Sequence, residues 1–228
     1  MITYIQPLLD AFRAHADPAQ AAPMARYMRD QFPFFGLKAP QRRALERAFV
    51  ADHGLPPVEQ AADVVRALWA QPERECQYAA QSLLYRLRRQ LPADSDTLLA
   101  ELVTTKSWWD TVDMLAGRNV AAHFQRFPGV GAAAVSRWRR SDNFWLRRTT
   151  LLYQLHYKEK TDVELLWRLI EENAADSEFF IRKAIGWALR EYSKTDAAAV
   201  VDFVARTPLS PLSEREALKW LRRRGVVD

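Results

Sequence analysis

Along most of the chain apolar residues recur at i, i+3, i+4 and i+7, the spacing of one face of an α-helix. Leu165, Leu166, Leu169 and Ile170 mark such a face within 161–173, and Val200, Val201, Phe203 and Val204 another within 196–206. Alternating Val/Ile/Thr runs bounded by Asn-Gly or Asp-Gly turns are absent, and only 7 glycines occur, so strands and hairpins have no signal. The pattern predicts an all-α chain. Thr161-Asp-Val-Glu164 and Ser213-Glu-Arg-Glu216 fit the capping box, in which a hydroxyl and a carboxylate three residues apart satisfy each other's free backbone N–H groups. Ser107-Trp-Trp-Asp110 is a looser version.

These segments repeat. Strong helical stretches begin near Gln71, Ser107, Ser141, Ser177 and Ser213, at steps of 34 to 36 residues. Each follows another amphipathic stretch, at 57–70, 94–105, 130–140, 161–173 and 196–206. A helix pair recurring at that period predicts an α-solenoid of HEAT-like repeats, about five pairs over 57–223. Residues 1–51 supply two or three N-terminal helices broken at Pro18, Phe32-Pro33 and Ala39-Pro40. No Gly- or Ser-rich linker divides the chain, so 1–228 reads as a single domain. If the strong stretches are the inner helices, their polar residues line a concave face.

Composition narrows the chemistry. Hydrophobic residues make up 49% and charged residues 27%, an ordinary globular balance. No run approaches the ~18 apolar residues of a membrane span, and the first residues lack the basic start of a secretion signal; a cytoplasmic protein is expected. One cysteine, Cys76, excludes a disulfide framework and reads as a small core residue, and the four histidines show no i, i+4 pair, so no metal site is expected. No phosphate-cradling Gly-rich loop of the Walker or dinucleotide type occurs, which removes nucleotide cofactors. Phe127-Pro-Gly-Val-Gly131 superficially matches a phosphate-binding hairpin but reads as a helix-start turn.

Charge changes the picture most. Residues 1–114 carry 13 basic and 14 acidic side chains, whereas residues 115–228 carry 20 and 14. The basic excess sits in the second half, and a concave basic groove is expected there. Of the 33 basic residues 26 are arginine, suited to bidentate phosphate contact, although an Arg-rich codon bias gives the same ratio. An acidic polymer such as nucleic acid is the expected partner. Lys183, Trp187, Arg190 and Lys194 share one helical face and Ile181, Ile185, Ala188 and Tyr192 the buried one. The first set is a basic track with an aromatic plane, or an edge-buried tryptophan among solvated cations. Lys106, Trp109 and Asp113 align on a second face, with Trp108, Val112 and Leu115 turned to the core. A carboxylate there would repel phosphate, so it has another task or pairs with Arg118 or another arginine. In the next repeat Trp145, Leu152 and Leu155 read as interior and Arg147-Arg148 as an exposed pair. By repeat geometry Trp109, Asp113, Arg148 and Trp187 converge from three successive helices.

Ser107-Trp-Trp-Asp-Thr-Val-Asp113, Phe144-Trp-Leu-Arg-Arg148, Phe180-Ile-Arg-Lys-Ala-Ile-Gly-Trp187 and Arg26-Tyr-Met-Arg-Asp-Gln-Phe-Pro-Phe-Phe-Gly36 resemble the AlkD family of bacterial DNA alkylation-repair glycosylases, over nearly the whole chain. The resemblance implies a HEAT-like fold gripping duplex DNA and excising cationic lesions such as N3-methyladenine and N7-methylguanine, without flipping the base into a pocket. It implies Asp113 as catalytic carboxylate, Trp109 and Trp187 flanking the deoxyribose, Arg148 on a backbone phosphate, and Tyr27 lining the same cleft. Arg147, Lys106, Lys183, Arg190 and Lys194 are the further DNA-binding candidates. Lys106 is the nearest candidate for a Schiff-base nucleophile and more simply a phosphate contact, so a monofunctional enzyme is expected, acting as a monomer without cofactor. The rival reading is a non-catalytic α-solenoid that binds DNA or protein.

Overall fold

The structure, a computed structural model, describes residues 2–227. Among these every regular element is helical, and the chain divides into two compact units, Met1–Pro92 and Ala93–Asp228. Among the described residues no helix is long and apolar enough to cross a membrane.

The first unit holds α1 (Ile2–Ala14), α2 (Pro18–Tyr27), α3 (Ala39–His53), α4 (Val58–Ala70) and α5 (Arg74–Arg86). Ile5, Leu8, Leu9 and Phe12 form the apolar stripe of α1 and are buried with Val64, Val65 and Leu68 of α4 and Leu84 of α5. Pro18 and Pro40 sit in the first turns of α2 and α3, where a missing N–H costs no hydrogen bond. The connection before α3 is pinned from α5. The fully buried Glu75 carboxylate accepts from the N–H groups of Phe35 (3.1 Å), Gly36 (2.9 Å) and Leu37 (3.0 Å). Gly36 has φ +92°, and a Cβ there would lie 2.1 Å from the Asp17 carbonyl oxygen, so only glycine fits. Arg74, also fully buried, stands 3.8 Å over the Phe32 ring.

The second unit contains α6 (Asp96–Thr104), α7 (Trp109–Met114), α8 (Ala121–Arg126), α9 (Pro128–Trp138), α10 (Phe144–Leu152), α11 (Val163–Asn173), α12 (Phe179–Tyr192), α13 (Ala197–Arg206) and α14 (Pro211–Arg223). Helices start at Arg74, Trp109, Phe144, Phe179 and Pro211, close to the strong stretches read from the sequence. Phe127 precedes α9 as the helix-start turn, and Cys76 is a buried core residue. The caps differ from expectation. Asp162 rather than Thr161 caps α11, accepting from the Leu165 N–H at 3.0 Å. Ser210 rather than Ser213 caps α14, because Pro211 presets the first helical turn. Ser107 caps nothing: its hydroxyl donates back to the Val103 carbonyl at 2.7 Å, closing α6.

Leu115–Val120 joins α7 to α8 as a π-helical turn. The wider turn adds a residue per revolution and re-aims the side chains of α7 relative to those of α8. Val112, Leu115, Ala116 and Val120 are thereby buried while Asp113 stays at the edge of the core. Of the helix pairs in this unit α12 and α14 pack most extensively. Gly186 permits the approach: a Cβ there would stand 2.5 Å from Glu216 Cβ and 2.7 Å from the Ser213 carbonyl oxygen.

Candidate functional site

The first turns of α7, α10 and α12 each carry or abut an aromatic pair: Trp108-Trp109, Phe144-Trp145 and Phe179-Phe180. One ring of each pair builds a common apolar floor. Phe180 lies 5.0 Å from Trp145 and 5.2 Å, edge-on, from Trp108; Trp108 lies 6.2 Å from Trp145. Phe180 of this cluster also lines a cleft of about 360 Å³, together with Trp109, Asp113, Arg148, Phe179, Lys183, Trp187, Arg190 and Glu216. Trp109, Asp113, Arg148 and Trp187, separate in sequence, are thus together.

Asp113 and Arg148 form the cleft's central contact. Arg148 Nε donates to Asp113 Oδ1 at 2.7 Å and Nη2 to Oδ2 at 2.9 Å, a bidentate fork. Nη1 donates to the Phe180 carbonyl oxygen, so one arginine ties α7, α10 and α12. The Arg148 side chain is 4% exposed and that of Asp113 14%. Burial raises the Asp113 pKa; Arg148 opposes that rise, and Asp110 adds a smaller push upward. The fork uses one lone-pair direction on each carboxylate oxygen and leaves others for a ligand.

Several expectations are corrected by this geometry. Arg147-Arg148 is not an exposed pair. Arg148 turns inward to Asp113, which supplies the charge that makes its burial tolerable. Arg147 braces two loops, donating to the Ser141 carbonyl at 2.6 Å and to Asp176 at 2.8 Å. Burial alone would raise the Asp176 pKa, but the Glu178 N–H and the Arg147 guanidinium hold it below the usual carboxylate range. Asp113 does pair with an arginine, as one of the two readings of it allowed, and that arginine is Arg148. Lys106 does not share a helical face with Trp109 and Asp113: it precedes α7, in the left-handed region at φ +49°. Trp108 is half-buried beside the cleft rather than wholly interior, and Leu155 is half-buried too.

On α12, Ile181, Ile185 and Ala188 are buried as expected, and Lys183, Trp187 and Arg190 line the cleft. Lys194 is bonded to Glu191 at 2.6 Å and lines a neighbouring recess with Arg190, Lys219, Trp220 and Arg223. Tyr27 belongs to the first unit, exposed at the end of α2. Three contributors escape the sequence patterns. Phe179 and Phe180 complete the cleft, and aligning the aromatic pairs at repeat spacing identifies them. Glu216, which fits a local capping pattern, instead bonds Lys183 at 3.0 Å and Arg190 at 2.8 Å.

The family model described as DNA alkylation repair enzyme matches residues 8–221. A solved structure described as a predicted DNA alkylation repair enzyme from Enterococcus faecalis superposes with a TM-score of 0.85 at 34% identity, over 90% of this chain and 96% of that one. No curated protein matches the chain.

Proposed function

The chain belongs to the DNA alkylation repair enzyme family, and on that premise we propose that it is a monofunctional DNA glycosylase hydrolysing the N-glycosidic bond of cationic alkylated purines, N3-methyladenine and N7-methylguanine, in duplex DNA. The observation that carries this reading is the Asp113 carboxylate, clamped by a buried arginine in a cleft walled by Trp109 and Trp187.

An alkylated purine already carries the positive charge that makes it a leaving group. As the C1′–N bond breaks, its electron pair returns to the ring, the base departs neutral, and no general acid is needed. Positive charge passes to the sugar. A fixed anion near C1′ stabilises it, and Asp113 is preorganised for that because Arg148 holds both oxygens. Its raised pKa also suits it to take the proton released when water bonds to C1′. Trp109 and Trp187 offer π faces to the polarised C–H groups and growing charge of the deoxyribose. Lys183, Arg190 and Lys194, with Tyr27 and Lys106, contact the DNA backbone. The test is incubation with a duplex bearing one N7-methylguanine. Release of the free base, leaving a strand that breaks only after alkali, supports the reading. An intact glycosidic bond on bound DNA returns the chain to a binding module, and strand breakage without alkali contradicts the monofunctional assignment.

A further inference from the structure

Glu216 places a second acid in a cleft built to receive a polyanion. Its carboxylate, 13% exposed, spans from α14 to α12 and bonds the cations four residues before and three after Trp187. The approach depends on Gly186, whose missing side chain lets Glu216 reach α12. Burial opposes ionisation of Glu216, but Lys183, Arg190 and Lys219 outweigh it and hold the pKa below the usual range, so the group is charged near neutral pH. Asp113 and Arg148 cancel each other in the same cleft. The lining charges therefore sum to about one positive charge, where Lys183 and Arg190 alone would leave two. Beyond Arg190 the recess lined by Lys194, Lys219, Trp220 and Arg223 has no carboxylate in its wall. Attraction for phosphate is thus damped at the cleft, and beside it Lys194 is offset by Glu191 while Lys219 and Arg223 line the wall.

We propose, resting on the glycosylase reading, that Glu216 is a specificity-determining residue: by offsetting Lys183 and Arg190 it keeps the cleft from holding intact DNA through phosphate attraction alone, and it lowers the cost of bringing a cationic lesion against the cleft. Removing its charge strengthens binding to undamaged duplex and weakens the preference for a cationic lesion. Loss of packing alone would move neither the salt slope nor that preference.

The experiment measures affinity against salt for an undamaged duplex and for one carrying 2′-fluorinated N7-methylguanosine, a cationic lesion whose glycosidic bond resists cleavage. For Glu216→Gln the slope on undamaged DNA is expected to steepen by about one, with affinity up about three- to tenfold at low salt, and the lesion-to-undamaged ratio to fall several-fold. A folded Glu216→Gln with slope and ratio unchanged overturns the proposal. If that variant does not fold, Lys183→Met is compared with Lys183→Met/Glu216→Gln: the double variant is expected to be steeper by about one, and equal slopes overturn the proposal. The parent protein is titrated and assayed for excision alongside. A parent that neither binds nor excises defeats the glycosylase reading and this proposal with it; a parent that does both while the Glu216 variants match it defeats this proposal alone.

Discussion

Arg148→Met removes a charge from the interior while keeping much of the side chain's length. Three hydrogen bonds go with it, two to Asp113 and one to the Phe180 carbonyl. The Asp113 carboxylate, 14% exposed, is left without a counter-charge. Breaking a buried pair from one side costs about 3–5 kcal/mol, and the low exposure of both partners places this pair in that class rather than among surface pairs of about 0–1 kcal/mol. The cost depends on pH. In the variant Asp113 loses the influence that opposed burial, so its folded pKa rises further above the unfolded value of about 3.9. The folded state then binds more protons than the unfolded state, so this group favours folding at low pH and the benefit is lost as pH rises through the folded pKa. Denaturant unfolding of parent and variant at about pH 7 and about pH 4.5 should show a gap of about 3–5 kcal/mol that narrows toward about 1–2 kcal/mol in acid as the carboxyl takes up its proton. A gap under about 1 kcal/mol, or one independent of pH, would show a solvated carboxylate and refute the buried clamp.

The parent's excision rate should fall in acid as Asp113 takes up a proton, with a break above the ordinary carboxylate value of about 4; a flat profile across that range would exclude Asp113 as the titrating group. Trp187→Ala should slow single-turnover excision more than it lowers stability, since the ring is half-buried in the cleft wall; a large drop in Tm with full activity in the folded fraction would assign it to the core. Gly36→Ala should destabilise the first unit by about 1–3 kcal/mol, because φ +92° and the Asp17 carbonyl leave no room for a methyl; unfolding curves coincident with the parent's would contradict that conformation.

The helix pairs could be read from the sequence because each needs an apolar face, and that face writes a 3.6-residue period into the chain. Local capping chemistry was less readable. Both Thr161 and Ser213 satisfy the pattern, but Asp162 and the Ser210-Pro211 step decide where the helices begin. The convergence of Trp109, Asp113, Arg148 and Trp187 followed from repeat geometry. The inward turn of Arg148 did not, because its partner lies 35 residues away and a lone arginine beside Arg147 looks solvent-facing. Glu216 was hidden for the same reason: its S-x-x-E setting explains it locally, while its partners Lys183 and Arg190 belong to another helix. Lys106 could not be placed from spacing, since a left-handed residue before α7 breaks the helical register assumed for it.

The most direct measurement is single-turnover release of N7-methylguanine from duplex DNA by the parent and by Asp113→Asn, with the folded fraction of each determined in the same buffer because Asn leaves Arg148 short of its counter-charge. Release by the parent, with a loss of at least about 10²-fold in the folded, DNA-bound variant, is the predicted result. Equal rates, or no release by a parent that is folded and bound to DNA, would contradict it.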